Sequence, residues 1–265
     1  MGNLKNKHIG VLDSGLGGLT VVRELERILP HESISYFGDN ANCPYGNRSR
    51  EEILNLSLAM LDFLKKQGVK MVAVACNTIS VLIDELRKHC DFPVISIIEE
   101  ACKYVAGKKL KETGIFATEF TISQGLYNTL LKQMSPGTGV YGVPSRTLAA
   151  LVDEGRFYDP ATDAEVNSMM SIMMKAHPGL GHIVLGCTHY PIVQDLFEKA
   201  APELSFINPA AVQAEAVRAL LSQSGLLSDE QAPVTEIFTS GKRQPYEGAI
   251  KKLEIGRPFS LTVIE

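Results

Sequence analysis

Short runs of consecutive apolar and β-branched residues alternate along the chain with longer stretches whose apolar positions recur every three to four residues. The short runs predict strands at HIGVLDSG (8–15), SISYFGD (33–39), KMVAVACNT (70–78), FPVISII (92–98) and TGIFAT (113–118). Further strands are predicted at VYGVP (140–144), GHIVLGCT (181–188), LSFINPA (204–210), VTEIFTS (234–240) and FSLTVI (259–264). Helical periodicity marks LTVVRELERIL (19–29), REEILNLSLAMLDFLKKQG (50–68) and AVQAEAVRALLSQSG (211–225). Ser49 and Glu52 stand at capping-box spacing before the second of these. Continuous apolar strands alternating with helices predict an α/β fold with parallel sheets covered on both faces. Ligands in such folds gather at the carboxyl ends of the strands, so the residues just after each apolar run carry the most information.

Those strand ends contain a weak internal repeat. HIGVL ends in Asp13-Ser14 and TGIFA in Thr118-Glu119, an offset of 105 residues. MVAVA ends in Cys76-Asn77-Thr78 and HIVLG in Cys187-Thr188-His189, an offset of 111. Two related halves follow from these offsets. With no Gly/Ser linker in the chain, the crossings are expected as short connections near Ile98–Lys103 and Asn208–Ala211. The expected division is a first α/β domain of residues 1–98 plus 209–265 and a second of 99–208.

Composition narrows the function classes. The 265 residues are 45% hydrophobic and 21% charged, enough for a sizeable core and inconsistent with a disordered chain. A net charge of −4 leaves no basic field for nucleic acid or an anionic membrane. No apolar run reaches the length of a membrane span. The segment MGNLKNKHIG lacks the apolar stretch of a signal peptide, and Asn6 breaks the pattern that would myristoylate Gly2. Cys43, Cys76, Cys90, Cys102 and Cys187 show neither C-x-x-C nor metal-finger spacing. Free thiols, a cytoplasmic location and no metal are therefore expected.

Chemistry concentrates at three places. GVLDSGLGGLTVVREL reads as strand, glycine turn and helix start, a setting for a small carboxylate or phosphate. It lacks both the dinucleotide fingerprint and the P-loop lysine. Asp13 beside an anion site argues for proton chemistry or an amine in the ligand. Cys43-Pro44-Tyr45-Gly46 forms a turn in which Cys43 lines a site without acting in it. Cys76 and Cys187 each stand where an apolar strand opens into Asn, Thr or His neighbours. Three readings follow: paired acid/base thiols facing across a cleft, a single nucleophile with His189 as base, or structural cysteines. Cys90 and Cys102 are expected to be packing residues.

Four ordered motifs extend this reading: Asp13-Ser14-Gly15-x-Gly17-Gly18, Pro44-Tyr45-Gly46-x-Arg48-Ser49, Ala75-Cys76-Asn77-Thr78 and Gly186-Cys187-Thr188-His189-Tyr190-Pro191. With them the chain resembles, over essentially its whole length, the glutamate racemases of the cofactor-independent Asp/Glu racemase superfamily. The resemblance implies two similar three-layer α/β domains with largely parallel sheets, related by a pseudo-twofold, with the active site in the cleft between them. It implies racemisation of glutamate without pyridoxal phosphate, Cys76 acting on D-glutamate and Cys187 on L-glutamate. Asp13 would assist Cys76 and His189 would assist Cys187, both also meeting substrate. Ser14, Tyr45, Gly46, Asn77, Thr78 and Thr188 would hold the substrate's carboxylates and amine, with Thr118 and Thr121 adding hydroxyls. Asp153 would be the acid near Cys187, with Glu154 as the alternative. A hinged cleft, a homodimer and a supply of D-glutamate for peptidoglycan are also implied. Glu100, Ile79, Phe120, Asn208 and Lys242 depart from the family pattern, and Ile79 and Phe120 are expected to reshape the side-chain pocket. The alternatives are a racemase of aspartate or another amino acid, and a catalytically weak homologue acting through protein–protein binding, gyrase inhibition being the example.

Overall fold

The computed structural model describes residues 4–264, so Gly2 lies outside the described residues. All ten predicted strands form: β1 Ile9–Asp13, β2 Ile34–Gly38, β3 Met71–Val74, β4 Val94–Ser96, β5 Glu112–Thr118, β6 Gly139–Ser145, β7 His182–Gly186, β8 Ser205–Ile207, β9 Thr235–Thr239 and β10 Phe259–Val263. The helices are α1 Leu19–Ile28, α2 Arg50–Lys66, α3 Asn77–Ser80, α4 Ile83–Arg87, α5 Ile97–Gly107, α6 Glu119–Gln124, α7 Leu126–Met134, α8 Leu148–Asp153, α9 Pro160–Ala176, α10 Gln194–Ala200, α11 Pro209–Gln223 and α12 Arg243–Leu253. Ser49 caps α2 through the capping box with Glu52 that the spacing predicts.

The strands make two sheets, ordered β10-β9-β2-β1-β3-β4 and β6-β5-β7-β8, with every pairing parallel. The order β2-β1-β3-β4 of the first sheet recurs as β6-β5-β7-β8 in the second. The offsets between the strand ends therefore correspond to equivalent strands, β1 with β5 and β3 with β7. Strands β9 and β10 extend the first sheet beyond β2.

Alternation along the strands decides which core each side chain enters. Ile9 and Val11 of β1, with Met71 and Ala73 of β3, join one apolar cluster, whereas Leu12, Val72 and Val74 join the other. The first cluster is continuous with Ile115, Phe116, Ile183 and Leu185 of the second sheet. The second takes Ile53, Met60, Leu61 and Leu64 from α2. Each fully buried Leu or Ile of this kind contributes roughly 1.5–3 kcal/mol.

The first crossing is a helix where a short connection is expected, α5 running through Ile98–Lys103, while the return passes from Asn208 directly into α11, the helix predicted at 211–225, and the two helices pack together. The run FPVISII hides this in the sequence, because β4 stops at Ser96 and that side chain accepts from the Glu99 N–H to start α5. Ile97, Ile98, Ala101, Cys102 and Val105 then form a buried helical stripe. Gln213 of α11 donates to the carbonyls of Val74 and Ile95, both at 3.0 Å, tying this helix to β3 just before Cys76. Among the described residues no helix is long and apolar enough to cross a membrane.

Candidate active site

Parallel pairing of β1 with β3, and of β5 with β7, brings the loops after those strands to one end of each sheet. They meet around a cavity lined by Ser14, Cys43, Tyr45, Gly46, Cys76, Asn77, Thr78, Thr118, Ala149, Cys187, Thr188 and His189. Both strand-end thiols thus face one space. Its volume is about 20 Å³, room for roughly one water molecule. An amino acid does not fit a space of this volume.

On the Cys187 side, the thiol lies 3.6 Å from His189 Nδ1. His189 Nε2 lies 2.9 Å from Asp153 Oδ1, at the end of α8. The same Asp153 oxygen accepts from the Leu16 N–H at 3.1 Å, and Oδ2 accepts from Asn40 Nδ2 at 2.6 Å. Asn40 Oδ1 in turn accepts from the Tyr246 hydroxyl. Burial works to raise the Asp153 carboxyl, but His189, the Leu16 N–H and Asn40 together hold it below the usual carboxylate range. Burial opposes charge on His189, yet its bonds to Asp153 and Cys187 raise it well above the ordinary imidazole value. An imidazolium consequently stands beside Cys187. Glu154 is not part of this arrangement: it is exposed and lies 3.4 Å from Arg156.

The Cys76 side is built differently. Ser14 Oγ is 3.3 Å from Cys76 Sγ. Burial and the charge of Asp13 push the thiol up to about 12, against the lowering effect of Ser14 and the Ile79 N–H. Asp13 itself is pushed up to about 6 by burial, opposed by His189, the Gly15 N–H and Thr188. Its oxygens accept from the Gly15 N–H at 2.9 Å and the Thr188 hydroxyl at 3.0 Å, so Asp13 acts on Cys76 through its field. One thiol thus faces an imidazolium while the other is held protonated near a carboxylate.

The remaining polar residues form the walls. Asn77 Oδ1 accepts from the Tyr127 hydroxyl at 2.7 Å. Asn77 Nδ2 is buried with no partner among the described residues, a donor available to a ligand. The hydroxyls of Thr78, Thr118 and Thr121 lie 2.9–3.4 Å from one another. Thr121 supports the other two from behind, since only Thr78 and Thr118 reach the cavity. The Tyr45 hydroxyl donates to Asp39 at 2.6 Å, and Gly46 packs where a Cβ would come within 2.9 Å of Thr118.

Three expectations change. The glycine turn after β1, expected to admit an anion, instead admits the loop from the other sheet: a Cβ on Gly17 would lie 2.4 Å from Thr188 Oγ1 and 2.9 Å from the His189 nitrogen. Ile79 is fully buried in the core beside Leu12 and Ile53, and does not wall the cavity. Phe120 packs on that core and faces a separate surface depression with Arg48 and Arg146. Asn40, Tyr127 and Tyr246 belong to the site's supporting network, although no motif in the sequence distinguishes them. Among the described residues, Cys43, Asp153 and His189 also place three metal-ligating atoms within 4.8 Å of one another.

Comparison with known proteins identifies the family. The family model for Asp/Glu/Hydantoin racemase matches residues 9–217. A glutamate racemase of Lysinibacillus sphaericus is 35% identical over 242 residues, covering 89% of this chain and 90% of that protein. The glutamate racemase isoform RacE1 of Bacillus anthracis superposes with a TM-score of 0.90 at 32% identity, over 98% of each chain. The Francisella tularensis glutamate racemase, solved with D-glutamate, superposes at 0.89 and 30% identity, again over 98% of each. On the family match, the overlap in length and the shared fold, this chain belongs to the Asp/Glu/Hydantoin racemase family.

Proposed function

We propose that this enzyme interconverts L- and D-glutamate without pyridoxal phosphate, using Cys76 and Cys187 as acid and base on opposite faces of the α-carbon. The observation that carries the reading is the placement of two thiols, from equivalent strand ends of two sheets, on one small cavity with dissimilar electrostatic partners. In the L-to-D direction the Cys187 thiolate, opposite the His189 imidazolium, takes the α-proton. The electron pair passes to the carbanion and its carboxylate. Cys76, held as the thiol, then gives its proton to the other face. Cys187 is left protonated and Cys76 as thiolate, the arrangement that starts the reverse reaction.

The α-proton is weakly acidic, so donors must already be aimed at the charge that develops. Asn77 Nδ2 supplies one such donor, and Ser14, Thr78, Thr118 and Thr188 surround the space. Closing the cleft excludes water and strengthens these contacts. The small closed volume supports a hinged cycle in which a division of 1–98 plus 209–265 against 99–208 opens for exchange of ligand. Glutamate is favoured as substrate by the relatives named above, and the family resemblance supports a cytoplasmic homodimer that supplies D-glutamate for peptidoglycan.

The test is α-proton exchange in D₂O, followed by NMR for each enantiomer, with wild type, Cys76→Ser and Cys187→Ser. Both variants are expected to lose racemisation while each retains exchange of one enantiomer. Racemisation surviving in either variant refutes the two-thiol mechanism, and turnover of aspartate but not glutamate refutes the substrate.

A further inference from the structure

Cys43, Asp153 and His189 form a cluster that the racemisation chemistry does not exhaust. Cys43 follows β2 in the first sheet, whereas His189 follows β7 in the second and Asp153 ends α8. Their Sγ, carboxylate oxygen and ring nitrogen lie within 4.8 Å of one another. A second observation is where these atoms point. A Cβ placed on Gly15 would lie 2.6 Å from Asp153 Oδ1, 3.2 Å from Cys43 Sγ and 3.3 Å from His189 Nε2. The three donors therefore pack together against the Gly15 backbone, where any side chain would collide with them. A tetrahedral zinc ion with bonds of about 2.0–2.3 Å holds its donors about 3.3–3.6 Å apart, so a separation of up to 4.8 Å closes by roughly 1 Å as the ion binds. The Asp153–His189 separation of 2.9 Å would widen by a few tenths of an ångström.

We infer that Cys43, Asp153 and His189 form an inhibitory site for Zn²⁺ or a similar borderline-soft divalent cation. The donor set of thiolate, imidazole and carboxylate is the one such ions select over Mg²⁺ or Ca²⁺. Binding replaces the proton on His189 Nε2 and releases the Cys43 thiol proton, so two protons leave as the ion enters. Cys43 and Asp153 each keep partial exposure, which gives the ion a way in. Once bound, the ion separates His189 from Asp153 and joins the loops of the two sheets. Racemisation then stops for two reasons: His189, bound to the ion through Nε2, loses its Asp153 partner and can no longer take up or release a proton beside Cys187, and the cleft is held shut.

Two measurements test the site, one independent of activity. In a Cys76→Ser/Cys187→Ser protein, Co²⁺ titration is expected to produce a thiolate-to-cobalt charge-transfer band saturating at one equivalent. Adding Cys43→Ser should abolish that band. A band that survives Cys43→Ser, or its absence from the parent, overturns the proposal. With both catalytic thiols present, Zn²⁺ should inhibit the enzyme reversibly by chelator. Cys43→Ser, with inhibition measured relative to its own metal-free activity, should need at least tenfold more Zn²⁺ for half inhibition. Equal sensitivity would place the ion on Cys76 and Cys187 and refute the assignment.

Discussion

Replacing Asp153 by asparagine isolates the charge behind His189 while keeping the side chain's shape. The Asn40 amide, bound by Asp153 on one side and Tyr246 on the other, can reverse to satisfy the new amide. What disappears is the anion 2.9 Å from His189 Nε2. A lost charge-assisted hydrogen bond is worth about 2 kcal/mol, and the bare Coulomb term at that distance and an effective dielectric of 20 about 6 kcal/mol. Solvent reorganisation and the partial exposure of Asp153 bring the effect nearer the lower figure, about 3 kcal/mol, or roughly a hundredfold in rate. The loss should fall on the Cys187 face: exchange of L-glutamate in D₂O drops about a hundredfold, while exchange of D-glutamate at Cys76 changes by a few-fold at most. The pH profile should move as well. Asp153 contributes to raising His189, so without it the imidazolium is lost at lower pH and activity fails sooner as pH rises. Glu154→Gln, altering an exposed side chain paired with Arg156, should do neither. Equal loss on both faces, a loss under fivefold, or a larger effect from Glu154→Gln would refute the assignment of Asp153 to His189.

Further predictions rest on other contacts. Asp13 is raised from 3.8 to about 6, so between those values the native state holds a proton that the unfolded chain gives up, and stability falls as pH rises. Asp13→Asn removes that dependence, so its stability relative to wild type should improve by about 2 kcal/mol between pH 4 and 7, as read from urea melts; a constant difference would contradict the burial argument. Tyr127→Phe leaves Asn77 Oδ1 without its hydroxyl donor, so a stability loss of about 1–2 kcal/mol and a KM increase of roughly tenfold are expected from melts and steady-state kinetics. Gly17→Ala puts a methyl 2.4 Å from Thr188 Oγ1, which blocks closure. Exchange of both enantiomers should then fall at least tenfold with unchanged far-ultraviolet circular dichroism.

Much of the fold is local information. Short runs rich in apolar and β-branched residues, flanked by polar turns, identify the ten strands, most plainly β1, β2 and β3, which are buried on both faces and have no polar positions to spare, whereas β10 at a sheet edge is exposed at all but one position. Cys76 and Cys187 are legible for the same reason, each standing at the step from apolar run to polar loop. The helix α5 is not legible, because its first turn continues the apolar run of β4 and only the Ser96 cap separates them.

The order of the sheets and the assembly of the site belong to tertiary structure. Asn40 reaches Asp153 across 113 residues, and Tyr246 reaches Asn40 across 206, with no periodicity in the chain linking them. The choice of Asp153 over Glu154 turns on which face of α8 meets His189, and adjacent acids on a helix point about 100° apart. The glycines after β1 are visible in the sequence, but what approaches them is decided by a loop about 170 residues away, as the contacts of Gly17 with Thr188 show. The sequence by itself determines where strands begin and end, since that depends on neighbours along the chain. Which acid serves which thiol depends on hydrogen bonds between distant loops, and these exist only once the two sheets have packed.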